Sequence, residues 1–340
     1  MHTITVYIKK SEPLMPYLWA NMIGTRAVRN TANYLIRNVY TALGKAEAER
    51  TAKENSVLLK VSMCLREANI RKETAYKKKL AAGKTAKLSL FRIPDEKNRT
   101  LSYEQIDAIL KYSKDPAYYS CTSQVNQQAI RKTCNSWKGF FSSLKKWKKD
   151  PSGYSGRPRI PGYIRENAAT AHFTNQVCKL NESSKGLYLS FCKTDKILHL
   201  GSLPISGEYV KTEFVPAADG CKALITFDDG VEYPEIPETP SRIMAIDPGV
   251  NNFAACVTNT GMTPFLLDGR YLKSLNHLYN RKLAKYRICL YTGHDMKGYK
   301  GPATSRRIAR LTEHREKSCA TGSIKLPILS AAVRRRRESN

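Results

Sequence analysis

The sequence predicts an α+β multidomain protein, in which a small antiparallel β-barrel carries an inserted helical lobe and a partial α/β domain follows. Three observations support this prediction. The chain has 340 residues, enough for two or three domains, and 41% of them are hydrophobic, enough for buried cores. The hydrophobic pattern changes from helical to strand-like after Ala168, and changes again after Ser241, where strands precede a helix.

The first ten residues predict a barrel strand, because Ile4, Val6 and Ile8 alternate onto one face. Residues 11–150 follow as the helical lobe, with a loop or a short strand at Leu88–Ile93. Its predicted helices are about Pro13–Leu43, Glu47–Ala82, Leu101–Lys114 and Thr122–Lys149.

The last of these helices carries an aromatic stripe, which includes Trp137, Phe140 and Trp147 and which we expect to pack on a core. Its lysines run into Asp150–Tyr163, a segment rich in Gly, Pro and basic residues. Such a segment is suited to follow a phosphate backbone rather than to form a helix or a central strand. The predicted nucleic-acid contacts here are Lys138, Lys145, Lys146, Lys148, Lys149, Arg157 and Arg159.

Residues 151–240 contain the remaining barrel strands and a linker that includes Pro234, Pro237 and Pro240. Short hydrophobic runs separated by turn residues are typical of a small antiparallel barrel, which the first strand would complete. The predicted strands are His172–Leu180, Gly186–Phe191, Ile197–Leu200, Tyr209–Val215 and Lys222–Phe227.

The charge of the chain indicates a polyanionic partner. The formal net charge is +28, from 57 Lys+Arg and 29 Asp+Glu. Residues 131–165 carry ten basic and one acidic residue, and residues 270–340 carry eighteen and four, whereas residues 201–240 carry two and eight. Separate basic blocks favour nucleic-acid binding over a generally basic surface, since Lys and Arg contacts to phosphate release counterions.

The nine cysteines are scattered and never spaced as C-x-x-C, which argues against a disulfide framework and predicts no zinc site in this chain. They favour a reducing compartment. The sequence shows no signal peptide and no run of about 18 apolar residues. We therefore predict a cytoplasmic, nucleoid-associated protein with no membrane partner, and nothing indicates a small-molecule substrate.

Residues 241–316 predict a partial ribonuclease H-like, or RuvC-like, domain. A short apolar strand ends at Asp247, two further strands follow at Phe253–Thr258 and Pro264–Leu267, and a helix follows from about Tyr271 to Leu290. In that fold an acidic residue of the first strand holds divalent metal ions, which makes Asp247 the candidate catalytic and metal-binding residue. The same Asp-x-Gly pattern also begins ordinary hairpins and the phosphate turn of actin-like sugar kinases.

Two blocks of sequence resemble the TnpB proteins, the OrfB-type proteins of insertion sequences that are related to compact type V CRISPR effectors. One is IDPGVNNFAACVTNTG with the helix PFLLDGRYLKSLNHLYNRKLAKYR, and the other is FFSSLKKWKKDPSGYSGRPRIPGY. The order of strand, helices, barrel and Asp-bearing domain is also similar, over roughly Met1–Glu316.

The resemblance implies a transposon-associated, RNA-guided and Mg²⁺-dependent DNA endonuclease, with guide RNA and target DNA as partners. Base pairing would supply the sequence specificity. Asp247 would be the first metal-binding carboxylate. Lys273, Lys282 and Lys285 on the following helix would face nucleic acid, although a solvated helix face explains them as well.

The resemblance ends near Lys317. The family pattern continues with a second catalytic Glu, a four-cysteine zinc ribbon and a final Asp, whereas residues 317–340 form a divergent basic tail with Arg334–Arg337 and Glu338. A frameshift near Lys317 is our hypothesis for this change, and a genuinely short family member is the alternative. Asp268 is the remaining nearby carboxylate, and a turn residue is the favoured interpretation for it.

The sequence leaves three functional hypotheses open. The first is a family member that is deficient in DNA cleavage, because one carboxylate cannot position two metal ions. The second is an RNA-guided DNA-binding repressor without nuclease activity. The third is a non-functional transposon relic, whose broken domain would expose an unpaired strand edge.

Overall fold

The structure is a computed structural model that describes residues 1–203, 207–232, 240–249, 252–293 and 304–319. The chain divides into two compact units. The first comprises Met1–Pro216 and Gly220–Gly230, and the second comprises Ala217–Asp219 and Val231–Asn340.

The first unit begins with strand β1 and continues with four long helices. Two of the helices begin at capping boxes, in which Thr51 pairs with Glu54 and Ser102 pairs with Gln105. The predicted alternative of a strand at Leu88–Ile93 is not observed, because this segment lacks regular structure. The elements are β1 (His2–Lys9), α1 (Met15–Ala42), α2 (Ala52–Ala81), α3 (Tyr103–Tyr112) and α4 (Ser123–Lys149), with short 3₁₀ helices at Glu47–Glu49 and Pro116–Tyr119.

The four helices share one hydrophobic core. Val28, Ile36 and Val39 of α1 pack in the same cluster as Leu65 of α2 and Ile109 of α3. These side chains recur at three- and four-residue spacings, so each helix presents one apolar face to the others.

Six strands follow the helices and form two small antiparallel sheets with β1. They are β2 (Ala171–Thr174), β3 (Cys178–Ser183), β4 (Gly186–Phe191), β5 (Leu198–Gly201), β6 (Glu208–Ala217) and β7 (Gly220–Asp228). The strand orders are β1-β7-β6-β2 and β3-β4-β5. Phe173, Leu189, Phe214 and Phe227 belong to one buried cluster, so the two sheets enclose a common core.

Strand β1 pairs antiparallel with β7 along its whole length, from His2 opposite Phe227 to Lys9 opposite Gly220. The first strand therefore joins the strand-rich segment across the intervening helices, as predicted. Gly220 makes this contact possible, because its φ is +130° and an added Cβ would lie 2.0 Å from the Ile8 carbonyl oxygen.

The prediction of a closed barrel is wrong for the described strands, since they form two open sheets. The chain leaves the first sheet at Thr174 and enters the second at Cys178, through a turn in which the Val177 amide donates to the Thr174 carbonyl oxygen. β2 and β5 have four residues each. Strands this short leave few backbone groups with which to bridge the two sheets.

The second unit contains a three-stranded antiparallel sheet and two helices among its described residues. Its elements are β8 (Met244–Pro248), β9 (Asn252–Thr258), β10 (Phe265–Asp268), α5 (Arg270–Tyr291) and α6 (residues 306–319), with the sheet order β10-β9-β8. The predicted succession of three strands and a helix is present, and its assignment as ribonuclease H-like stays a prediction. Parts of the proline linker and of the basic tail, including Arg334–Arg337, lie outside the described residues.

The nine cysteines are all unpaired. Among the described helices, none combines the length and the apolar character that a bilayer crossing requires.

Candidate nucleic-acid interface

Helix α4 separates an apolar face from a basic one. Trp137, Phe140 and Leu144 are buried in the helical core, and the Trp137 and Phe140 rings meet the Tyr40 ring of α1 edge to face. The indole Nε1 of Trp137 donates to the Asn33 side-chain oxygen at 2.9 Å, so its polar atom is also satisfied. The prediction that the aromatic stripe packs on a core is confirmed.

The predicted lysines lie away from that core. All five are exposed, and none of them makes a hydrogen bond or an ion pair with another residue in the described part of the chain. Three of them occupy the last helical turn, where positive charge interacts favourably with the negative end of the helix dipole. These lysines are Lys138, Lys145, Lys146, Lys148 and Lys149, with the last-turn group formed by Lys146, Lys148 and Lys149.

Asp150 ends α4 and starts the segment that we call the basic loop, residues 150–159. Its Oδ1 atom accepts hydrogen bonds from the amide and the hydroxyl of Ser152, which hold the pKa of Asp150 below its ordinary value. The guanidinium of Arg157 lies 6.0 Å from the Trp147 ring centre, and Arg159 is exposed and forms no hydrogen bond with the described part of the chain. The loop thus presents two cations beside the lysines of α4.

The chain then continues as an extended strap, residues 160–169, that runs antiparallel to α1. Asn33 donates to the carbonyl oxygens of Pro161 and Gly162, and Asn30 both donates to and accepts from the Ile164 backbone. These anchors fix one end of the basic loop. Sequence reasoning missed them, because an asparagine inside a helix gives no signal of its distant partner.

Arg37 of α1 is a further anchor. Its Nη1 atom donates to the Pro161 carbonyl oxygen at 2.6 Å, and its guanidinium lies over the Tyr163 ring at 5.2 Å. One arginine therefore holds both the backbone and a side chain of the strap.

A cavity of about 480 Å³ opens between α3 and α4, and Lys138 lines it. Arg131 lies over the Tyr103 ring at 4.5 Å on the same wall. Glu104 is the cavity's carboxylate, and hydrogen bonds from its own backbone amide and from Ser102 lower its pKa, as do the charges of Arg131 and Lys138. The ionised Glu104 therefore partly offsets the positive charge of these two residues.

Asp247 lies in β8 on the exposed face of the second unit's sheet. It is opposite Ala255 of β9, which in turn is opposite Leu266 of β10. Directly opposed residues share a face of a sheet, whereas the buried Ala254 and Cys256 lie on the other face. Asp247 is therefore open to solvent and reachable by a ligand.

Asp268 is committed to the turn between β10 and α5. Its carboxylate accepts hydrogen bonds from the backbone amide and the Nε atom of Arg270, at 2.8 and 3.0 Å, and these contacts lower its pKa. A carboxylate held in this way supports the interpretation of Asp268 as a turn residue.

The described residues do not form a complete Mg²⁺ site. No three His, Cys, Asp or Glu side chains are grouped as metal ligands in the described ranges. Two-metal phosphodiester cleavage needs several converging carboxylates. The metal-binding and catalytic roles of Asp247 stay predictions.

Helix α5 carries the other predicted contacts, Lys273, Lys282 and Lys285, and all three are exposed. The helix pairs with α6, where Arg315 donates to the Asn276 side-chain oxygen at 2.7 Å and lies over the Tyr279 ring at 4.9 Å. The part of these lysines in binding stays a prediction.

Comparison with known proteins finds a similarity to a solved structure. No protein-family model matches the chain, and no curated protein does. A chain of the cryo-EM structure of the Cas12f1–sgRNA–target DNA complex aligns with 93% of this chain and 66% of its own length, at 13% identity and a TM-score of 0.16. Such a TM-score establishes no common fold, so this similarity assigns neither fold nor function.

Proposed function

We propose that this chain binds a nucleic-acid backbone, and that it acts as an RNA-guided DNA-binding protein of the TnpB type. One observation carries the binding proposal. Exposed lysines of α4, which form no ion pair with any residue that the structure describes, continue directly into a basic loop whose far end is fixed on α1. The predicted residues of this surface are those from Lys138 to Arg159 named above.

The physical argument concerns several cations that form no ion pair among the described residues. Several like charges on one surface repel one another, and this repulsion destabilises the fold when no polyanion is present. Phosphate groups remove the repulsion and release their own counterions, which makes binding favourable and strongly salt-dependent. Guide RNA and target DNA are proposed as the polyanions on the strength of the two sequence blocks that resemble TnpB proteins.

The same proposal expects binding without efficient cleavage. Among the described residues, Asp247 is the one carboxylate that both the sequence pattern and its open position favour as a Mg²⁺ ligand. A single carboxylate does not position two metal ions for an in-line displacement. The endonuclease role is therefore the second candidate function, supported by the exposed Asp247 alone.

The decisive experiment purifies the full chain and asks whether a discrete RNA accompanies it. Affinity for that RNA is then measured over a salt series, for the native chain and for a variant in which Lys145, Lys146, Lys148 and Lys149 are changed to Gln. We expect binding to weaken at least about tenfold, because four phosphate contacts are lost. The matched control loses the same charge at four exposed lysines elsewhere in the chain, and we expect it to change affinity far less. These lysines are Lys10, Lys77, Lys87 and Lys185.

A soluble chain that binds no RNA at low salt would contradict the proposal, and an insoluble chain would support the relic hypothesis. The purified complex is also incubated in Mg²⁺ with a plasmid that matches its RNA. Retention of the plasmid without cutting is expected, whereas cutting that Asp247→Ala abolishes would establish the endonuclease function instead.

A further inference from the structure

Two arginines of α1 face the strap but are not used to hold it. Met22, Arg26, Arg29, Asn30 and Asn33 lie within about one third of the helix circumference, given 100° per residue. Asn30 and Asn33 bind the strap backbone, as described above. Arg26 and Arg29 occupy the preceding turn of the same face, and they have no such contact.

The strap passes over this turn. The Ala169 amide donates to the Met22 carbonyl oxygen at 3.0 Å, and Ile164 is bound to Asn30. The helix rises about 12 Å between Met22 and Asn30, and the five residue-to-residue steps from 164 to 169 reach up to about 17 Å. Residues 165–168 therefore span the distance that Arg26 and Arg29 occupy on the helix.

Neither arginine has a partner within the described residues. Their Nε atoms are shielded from solvent and make no hydrogen bond, and no ion pair or ring contact involves either side chain. Burial lowers the pKa of the Arg29 guanidinium, and no carboxylate acts against this effect. A partly buried guanidinium without an anion is unfavourable, because it loses hydration and forms no ion pair that compensates for this loss.

The strap carries a third arginine next to its attachment at Asn30. Arg165 follows Ile164 directly, is exposed, and makes no hydrogen bond or ion pair among the described residues. Glu166 is the adjacent carboxylate, and it forms no ion pair with any of the three arginines. The backbone of Arg165 thus lies next to the turn of α1 that carries Arg26 and Arg29, and none of the three arginines has an ion-pair partner among the described residues.

We propose that Arg26, Arg29 and Arg165 form a phosphate-binding site for one or two phosphodiester groups of a nucleic-acid strand. Guanidinium groups suit this ligand, because their planar fork donates two parallel hydrogen bonds to phosphate oxygens. This site differs from the α4 lysines, since Arg26 and Arg29 are half-buried on a helix and Arg165 belongs to an anchored strap. The proposal rests on the proposed function in taking nucleic acid as the source of the phosphate.

The test compares Arg26→Gln/Arg29→Gln with the native chain and with Arg66→Gln/Lys77→Gln, an exposed pair on α2 that loses the same charge. The probes are a 20-nucleotide single-stranded RNA, the DNA strand of the same sequence, and the corresponding DNA duplex. We expect the site variant to bind its preferred probe at least about tenfold more weakly, with the slope of log affinity against log salt reduced by about two. Which probe loses the most affinity identifies the strand that occupies the site.

Thermal unfolding without nucleic acid separates a ligand site from a structural role. Replacing these arginines removes the free-energy cost of unpaired, partly buried charges. We therefore expect the Gln pair to unfold at the melting temperature of the native chain or at up to about 2 °C above it. A lower melting temperature would identify a structural role and overturn the proposal. Arg26→Lys/Arg29→Lys retains the charge but not the fork, and we expect it to recover only part of the affinity.

The outcomes distinguish the two proposals. If the native chain binds none of the three probes, the proposed function fails. If the native chain binds and the site variant binds as tightly as the α2 control, the arginine site is refuted while the proposed function stands.

Discussion

The two units of the chain differ in how they bury apolar surface. The first unit encloses two hydrophobic clusters, one among the helices and one between the sheets. In the described part of the second unit, the buried hydrophobic residues are Ala254, Cys256 and Ile308, and α5 contributes none. Ile246, Phe253 and Leu266 on its sheet are instead 58%, 43% and 63% exposed.

This difference shows which unit has the larger hydrophobic core of its own among the described residues. Burial of apolar surface is the dominant favourable contribution to folding. The first unit obtains it from its own helices and sheets, whereas the described sheet of the second unit leaves apolar side chains in water on both faces. The proposed binding surface belongs to the first unit, so its geometry does not depend on the core of the second.

The greatest loss of stability is expected for a substitution in the sheet core of the first unit. Phe214 is fully buried, and its ring lies 5.3 Å from that of Phe173 and 5.8 Å from that of Phe191. Phe214→Ala should lower the free energy of unfolding by about 3–5 kcal/mol, because it creates a cavity. The same change at Phe253, in the second unit, should cost less than about 1 kcal/mol.

Urea unfolding of both variants, followed by circular dichroism, measures the two losses. Equal losses at Phe214 and Phe253 would contradict the contrast between the units, since they would show that the second sheet is covered by an apolar partner surface.

A smaller decrease in the free energy of unfolding is expected for a substitution where α1 binds the strap. Asn33 is buried and bonds to Pro161, Gly162 and Trp137, so Asn33→Ala leaves buried polar groups without a partner. We expect a cost of about 1–3 kcal/mol together with faster proteolysis within residues 150–165. Asn38→Ala is the matched control, because the Asn38 side chain donates only to Tyr34 in the preceding turn. Unchanged proteolysis in Asn33→Ala would show that the strap is held by other contacts.

The smallest effect concerns the pH dependence of unfolding. A hydrogen bond from Lys45 and the capping hydrogen bond from Thr51 lower the pKa of Glu54 from 4.5 to about 2. A carboxyl whose pKa is lowered by folding stabilises the folded state above its unfolded pKa, and this contribution is lost as the pH falls from about 4.5 towards 2. Glu54→Gln should therefore reduce the difference in urea midpoint between pH 6 and pH 3.

Glu49→Gln removes an exposed carboxylate of the 3₁₀ helix before α2 and serves as the control. If both variants keep the native pH dependence, Glu54 is not the group that titrates in this range.

The sequence predicted the helices and the strand whose hydrophobic residues recur at a regular spacing. Helical spacing located α1, α2, α3 and α4 within a few residues of their observed ends, and alternation identified β1. The buried role of Trp137 and Phe140 followed from their spacing on α4. Barrel closure was predicted wrongly, because it depends on which edges pair and on strand lengths such as the four residues of β2.

The candidate interface was predictable only in part. A run such as Lys145–Lys149 is visible in the sequence, and so is the basic loop that follows it. The sequence around Arg26 and Arg29 gave no signal of the proposed site, because the strap that passes over this turn lies more than a hundred residues away in sequence. The role of Asp247 depends on carboxylates that its own motif does not contain, so it stays a prediction.

The pairing of β1 with β7 has a consequence for synthesis of the chain. The hydroxyl groups of Thr3 and Thr226 are 3.2 Å apart although the residues are separated by 223 positions. At roughly 5–20 residues per second, the first strand leaves the ribosome on the order of ten to forty-five seconds before its neighbour. During that interval the backbone groups of β1 lack their partner strand β7, so β1 reaches its final place only after β7 has been made.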